Sequence, residues 1–205
     1  ALLGWSPSSN QEIFTLEELI KEFDYHNINK APAVFDMGKL RWMNGEYIKN
    51  LDKETYYELA IPYIKEVITK DIDLYKIADL VKTRIETFLD IKDLIDFFEE
   101  LPDYDIAMYT HKKMKTDSQI SLEILREQLP LLEQLDDFSA QNIESCIKAY
   151  IKNKEINNRK GLWPLRTAVS GKQTSPGGAF EIASILGKEE TIHRIKIAIE
   201  RLSNQ

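Results

Sequence analysis

The residues with most chemistry to offer lie between Arg159 and Leu186. One tryptophan, two arginines, two lysines, two prolines and four glycines fall within these 28 residues. Pro164 suits the first turn of a short helix, where a missing N–H costs nothing, and Gly171 suits the position just past its end. After a polar loop, Ser175-Pro176 opens a second helix that Gly187 can close. The spacing therefore predicts two helices meeting at a basic, glycine-rich elbow. The first N–H groups of the second helix have no partner within it and are free to bond a phosphate or a base edge. The plainer alternative is a tight helix–loop–helix corner, its glycines supplying positive φ and Arg166 lying over Trp163.

Other basic residues extend the pattern. Lys39, Arg41 and Trp42 share a short helix followed by Asn44-Gly45, and Lys112, Lys113 and Lys115 lie in a loop. Arg84, Arg159, Lys160, Arg166 and Lys172 add guanidinium and ammonium groups near aromatics. Single-stranded RNA bases are read by stacking on aromatic or guanidinium planes and by hydrogen bonds to their edges, while phosphates need Lys and Arg at intervals. Each basic residue taken singly reads as a solvated charge. Groups for catalysis are missing. No glycine-rich phosphate loop follows a strand, and His26, His111 and His193 are scattered rather than set at metal-ligand spacing. Neighbouring carboxylates such as Asp136-Asp137 and Glu99-Glu100 point to different faces of a helix. Ser175 has no partner base in view. The sequence assigns no catalytic and no metal-binding residue.

The totals are those of a globular protein of 205 residues with 43% hydrophobic and 30% charged residues. A net charge of −7 argues against binding nucleic acid over the whole surface. The charge is uneven, however. Residues 71–105 hold 11 Asp/Glu against 4 Lys/Arg, whereas 139–177 hold 7 Lys/Arg against 2 Glu. A local basic patch on an acidic body is expected. No run approaches the length of a membrane span, and no signal peptide is legible. The lone Cys146 reads as a small core residue in a reducing, cytoplasmic compartment. There is no initiator Met, and the first residues read as the end of a helix closed by Gly4, so a piece of a longer protein is expected.

No stretch alternates as a strand does, so the fold class is all-α, with about ten short helices held by tertiary packing. Thr15-Leu-Glu-Glu18 is a capping box for a helix to Phe23. Pro32 blocks a helix, and Ala33-Val34-Phe35 reads as a short extended piece. Asp36 caps the helix carrying Lys39, with Asn44-Gly45 as its breaker. Asp52 starts a helix carrying Tyr56, Leu59, Tyr63 and Val67 at helical spacing. Leu74, Ile77, Val81, Ile85 and Phe88 keep helical spacing over four turns, with Arg84 at the edge of the stripe. Ile91 to Phe98 is another helix. A second capping box, Thr116 to Gln119, opens one with Leu122, Leu125, Leu129 and Leu132. Ser139 caps a helix facing inward with Ile143, Cys146, Ile147, Tyr150 and Ile151, and Lys188 to Leu202 is the last, with Ile192, Ile195 and Ile199 inside.

One stretch is more specific than any composition. Asp36-Met-Gly-Lys-Leu-Arg-Trp-Met-Asn-Gly-Glu-Tyr-Ile48 resembles the D-x-x-K-L-x-W-M-N-G-x-Y-I motif of bacterial glutamyl-tRNA synthetases. Residues 2–7, 12–19 and 32–36 resemble the same family in the same order. So do Pro164-Leu-Arg-Thr-Ala-Val-Ser-Gly171, Ser175-Pro176-Gly177, Phe180-Glu181 and 186–189; residues 50–158 match in pattern only. The family's H-I-G-H and K-M-S-K-type signatures are absent. The resemblance therefore implies the C-terminal portion alone, without the catalytic domain that uses ATP, Mg²⁺ and glutamate. It implies an elongated helical array: a stem-contact region over 1–52, then two adjoining helical bundles over 53–100 and 101–205 that bind the anticodon. The implied partner is tRNA(Glu), with no membrane and no DNA, gripped by a cytoplasmic monomer that is inactive without its catalytic half. The competing expectation is a helical protein–protein interaction module whose basic elbow takes an acidic peptide.

Carried over residue by residue, Arg84 matches the arginine that reads the third anticodon base, where a guanidinium can donate to the acceptor edge of cytosine. Arg166 matches the one that contacts the first base, and Ser175, Pro176 and Gly177 match the segment around the first two. Gly178-Ala179 stands where the family often has one larger apolar residue. Lys39, Trp42 and Asn44 match the stem-contact motif. Arg41, Lys112, Lys113, Arg159, Lys160 and Lys172 complete the expected stem and phosphate contacts.

Overall fold

The computed structural model describes residues 3–29 and 34–204, and every regular element among them is helical. Helix α1 spans Leu16–Glu22, α2 Met37–Asn50, α3 Lys53–Lys65, α4 Leu74–Val81 and α5 Ile91–Glu99. After a short 3-10 turn at Ile106–Tyr109 come α6 Ser118–Glu133, α7 Ala140–Asn153, α8 Asn158–Ser170 and α9 Ala179–Ser203. Extended backbone pairs at two isolated bridges among the described residues, Trp5–Ile28 and His111–Thr116. Side-chain caps set most helix starts by satisfying an orphan N–H: Thr15 with a reciprocal Glu18, Asp36 on Lys39, Asp52 on Thr55, Asp73 on Lys76 and Ser139 on Asn142.

One contiguous apolar core runs from Ile48 to Leu202. α9 threads it, packing on α6, α7 and α8 and touching α4, while α3, α4 and α5 pack on one another. The N-terminal segment has a smaller cluster of its own. The Trp5 ring lies 5.5 Å from Phe23 and 6.2 Å from Phe14, and the Tyr47 hydroxyl donates to the Phe14 carbonyl at 2.8 Å. α1 buries no residue.

Several boundaries differ from the sequence reading, each because a long-range contact outweighs a local signal. Asn44-Gly45 does not break α2. A Cβ on Gly45 would stand 3.2 Å from the Ile85 carbonyl oxygen, and Asn44 donates to the Glu86 carbonyl. This pair of residues is a docking point, not a turn. α3 turns Tyr56, Ala60 and Ile64 inward and leaves Leu59 exposed. The stripe from Leu74 to Phe88 is two pieces: α4 stops at Val81, and Ile85 reaches the core from the following turn. The cap of α6 is Asp117, not Thr116. α8 starts at Asn158, capped by Asn157, so Pro164 sits in its interior; burial of most of the helix from Gly161 onward outweighs one lost hydrogen bond. Pro62 and Pro130 are likewise interior to α3 and α6. α9 starts at Ala179 behind Gly178, not at Ser175, whereas Gly187 (φ 79°, ψ 169°) closes its first part as expected, leaving 188–203 as a separate run. Cys146 is half-buried; the inner face of 188–203 carries Thr191, Arg194, Ile195, Ala198 and Leu202, with Ile199 partly buried against the core, while Ile192 is only partly buried. Pro32 and Ala33 lie outside the described residues; Val34 and Phe35 are exposed and pair with no strand among the described residues.

Candidate nucleic-acid interface

Gly171 ends α8 in the left-handed region (φ 59°), its N–H closing onto the Thr167 carbonyl at 2.8 Å. The chain then folds back over Arg166, whose guanidinium lies 4.5 Å over the Trp163 ring. Arg166 Nη2 donates to the Gln173 carbonyl at 2.7 Å and Nη1 to Ser175 Oγ at 3.4 Å, while Ser175 Oγ donates to the Gly177 carbonyl at 2.8 Å. One half-buried arginine thus pins the loop and keeps its plane on tryptophan. Burial lowers its pKa from the usual guanidinium value. Pro176 is buried, and a Cβ on Gly177 would stand 2.5 Å from Leu80 Cδ1. The start of α9 is not an open phosphate site: the Glu181 carboxylate lies 2.7 Å from where a Cβ on Gly178 would be. A negative charge already faces that helix end, which leaves polar edges, not phosphate, as its suitable ligand.

Arg159, Trp163 and Arg166 fall at i, i+4 and i+7 on one stripe of α8. Trp163 itself is buried, its Nε1 donating to the Met108 carbonyl at 2.9 Å, and the His111 ring packs 4.4 Å from it. His111 starts a tight hairpin closed by its N–H on the Thr116 carbonyl at 3.0 Å, with Lys115 at φ 59°. Lys112 and Lys113 at its tip are exposed, as is Arg159; these and the partly exposed Lys160 have no ion pair among the described residues. The hairpin lysines and the α8 stripe therefore share one side of the molecule.

Arg84 lies in the turn after α4, exposed and without an ion pair among the described residues. Leu80, one helical turn earlier, is the residue against which Gly177 packs, so the elbow and the Arg84 turn are neighbours. Other expected contacts are committed internally. Lys39 pairs with Glu12, Arg41 with Glu86 and Asp90, and Lys172 with Asp96. These three are not free charges awaiting phosphate. Trp42 is 41% exposed on α2.

The sequence missed Arg194. It is wholly buried, donating to the Phe97 carbonyl at 2.8 Å, the Val169 carbonyl at 2.7 Å and Glu190 at 2.7 Å. It thereby ties the end of α5 to the last turn of α8, just before the elbow. Burial works against ionisation of Glu190, but the hydrogen bond and charge of Arg194 hold its carboxyl below the usual range. The only signal was a Glu–Arg pair at i, i+4, which looks the same on a solvated face. Among the described residues no group of His, Cys, Asp and Glu is placed to hold a metal ion, and no helix is long and apolar enough to cross a membrane.

Comparison with known proteins adds a family. A family model described as an anticodon binding domain matches residues 55–199. A glutamate–tRNA ligase of Lachnoclostridium phytofermentans is 67% identical over 204 residues, covering 100% of this chain and 42% of the relative. One of Clostridium tetani is 56% identical over 205 residues, again covering 100% of this chain and 42% of its own. The crystal structure of a glutamate tRNA ligase from Elizabethkingia meningosepticum in complex with its amino acid superposes with a TM-score of 0.82 at 31% identity, covering 98% of this chain and 39% of that one. The chain spans less than half the length of the curated relatives it matches.

Proposed function

Since the chain belongs to the anticodon-binding-domain family of glutamate–tRNA ligases, we propose that it grips tRNA(Glu) and inspects its anticodon for such an enzyme. The observation that carries this reading is the elbow. Arg166, stacked on Trp163 and bonded to Gln173 and Ser175, presents a pre-set loop beside the free Arg84. A cationic plane and the polar edges of Ser175-Pro176-Gly177 suit unstacked bases, which are recognised by stacking and edge hydrogen bonds. Fixing them before binding spares the ordering cost that a mobile loop would incur.

In this reading Arg84 addresses the third anticodon base, Arg166 the first, and Ser175, Pro176 and Gly177 the first two. Lys112, Lys113, Arg159 and Lys160 take phosphates along the α8 side, and Trp42 meets the stem, while Asn44 is held by the Glu86 carbonyl. The acidic remainder of the surface confines the RNA to that side. In this reading, attachment of glutamate with ATP and Mg²⁺ falls to the part of such an enzyme that this chain does not span. The working protein is a cytoplasmic monomer.

A filter-binding titration tests the proposal. Radiolabelled tRNA(Glu) is retained at low salt, retention falls steeply as salt rises, and Arg166→Ala weakens it about tenfold or more, the scale of one base contact. Absence of retention at low salt overturns the proposal in favour of a protein–protein module.

A further inference from the structure

α2 buries only Gly45 and Ile48, and apart from the ties of Tyr47 and Lys39 to the N-terminal segment it meets the body of the fold through a polar clasp. All of that clasp lands on the turn that follows Arg84. Arg41 Nε donates to Glu86 Oε2 at 2.9 Å, and Nη2 donates to both oxygens of Asp90 at 2.8 and 3.0 Å. Asn44 donates to the Glu86 carbonyl. Asp90 in turn accepts the backbone N–H of Glu86 at 3.0 Å and of Thr87 at 2.8 Å. Residues 85–87 are thus held from two sides, and the next residue back along the chain is Arg84, whose own N–H bonds the Val81 carbonyl at 2.8 Å.

From this geometry we infer that Arg41 is a positioning residue for Arg84: by clasping Glu86 and Asp90 it fixes the turn from which Arg84 reaches its base, and so sets discrimination at the third anticodon position. The inference rests on the reading of Arg84 proposed above. A role for Arg41 as a phosphate contact is opposed by its surroundings. Two carboxylates share its one positive charge, so an approaching phosphate meets a net negative cluster, and the donors best placed for a bidentate grip are already used. A rigid fork across residues 86 and 90 instead suits geometric control. The clasp lies near the surface, with Arg41 43% and Asp90 26% exposed, and an ion pair of that kind adds little to global stability. Its loss leaves the fold standing while the turn loosens, and a base contact fails once the donor moves off line.

The experiment compares the unaltered chain, Arg41→Gln, Arg84→Gln and the double variant. Each is titrated with tRNA(Glu) transcripts bearing cytosine or guanine at the third anticodon position, at several salt concentrations. Arg41→Gln is expected to narrow the cytosine-over-guanine ratio by about fivefold or more, part of what one bidentate base contact supplies. The salt slope stays unchanged, and Arg41→Gln adds no narrowing in the Arg84→Gln background. Asp90→Asn is expected to reproduce the effect. Equal weakening for both transcripts with a salt slope lower by about 1 identifies Arg41 as a phosphate contact and overturns the inference. So does an unchanged ratio with an unchanged slope. Amide hydrogen exchange keeps the two readings separable: the Glu86 and Thr87 amides exchange faster in Arg41→Gln if the clasp orders the turn. If Arg84→Gln leaves the ratio intact, the base-reading role of Arg84 falls while faster exchange still upholds the clasp; protection unchanged in Arg41→Gln removes the positioning role whatever Arg84 does.

Discussion

Arg194 and Arg41 show how one residue type is put to different uses by its surroundings. Arg194 has lost all contact with water and spends its donors on two helix-end carbonyls and Glu190, with Nη2 left unpartnered among the described residues. Its charge serves architecture. Arg194→Met keeps the length but strips donors from the Phe97 and Val169 carbonyls and leaves Glu190 without its cation. A loss of about 3 kcal/mol is expected in urea unfolding, the scale of orphaned buried groups and of a broken buried pair; a midpoint within error of the unaltered protein would show that water replaces the guanidinium freely. The same contrast explains what the sequence could and could not tell about the candidate site. Arg166 was legible because tryptophan, proline and glycine around it mark a shaped loop. The commitments of Lys39, Arg41 and Lys172 were not, because their carboxylate partners lie 27, 45 and 76 residues away in the chain. A cation's freedom is a tertiary property, and no local pattern reports it.

At the level of elements, caps and the 3.6-residue period were legible: Thr15, Asp36, Asp52 and Ser139 start their helices, and Gly171 and Gly187 interrupt theirs at positive φ. Boundaries failed where a neighbour supplied the decisive contact, as Ile85 does for Gly45 and as the buried surroundings of α8 do for Pro164. The same kind of contact couples the two halves of the proposed reading site. Gly177 in the elbow abuts Leu80 in α4, one turn before Arg84, with no room for a Cβ. Gly177→Ala therefore has to displace the Leu80 side chain from its place against the elbow, a change of the overpacking kind that costs about 1 kcal/mol or more. It is expected to weaken retention of tRNA(Glu) as well as stability. Leu80→Ala, which clears the space, should recover most of the binding when combined with it. A double variant no better than Gly177→Ala alone would mean that the glycine is needed for its backbone and not for its neighbour.

Across the whole molecule, acids hold much of the body together, while Lys112, Lys113, Arg159 and Lys160 stay without an ion pair among the described residues. Five carboxyls outside the elbow titrate below their ordinary range for identifiable reasons. Asp52 accepts the N–H and hydroxyl of Thr55, Glu99 the hydroxyl and N–H of Thr69, and Glu127 the ammonium of Lys154 and the hydroxyl of Tyr150. For Asp90 and Glu190 burial pushes upward, but hydrogen bonds from Arg41 and the Thr87 and Glu86 amides, and from Arg194, prevail. Each carboxyl binds its proton more weakly folded than unfolded. The stability it contributes is therefore complete above its unfolded pKa, near 4, and is lost as pH falls through the lower folded value. The five act in the same direction, so the melting temperature should stay level from pH 8 to about 5 and drop below about 4. In Arg194→Met the drop should be shallower, since Glu190 no longer has a folded-state advantage to lose. Thermal melts followed by circular dichroism across that range decide the matter. A melting temperature that held or rose on acidification below pH 4 would mean that relief of the excess negative charge, −7 over the chain, outweighs the loss of these specific bonds.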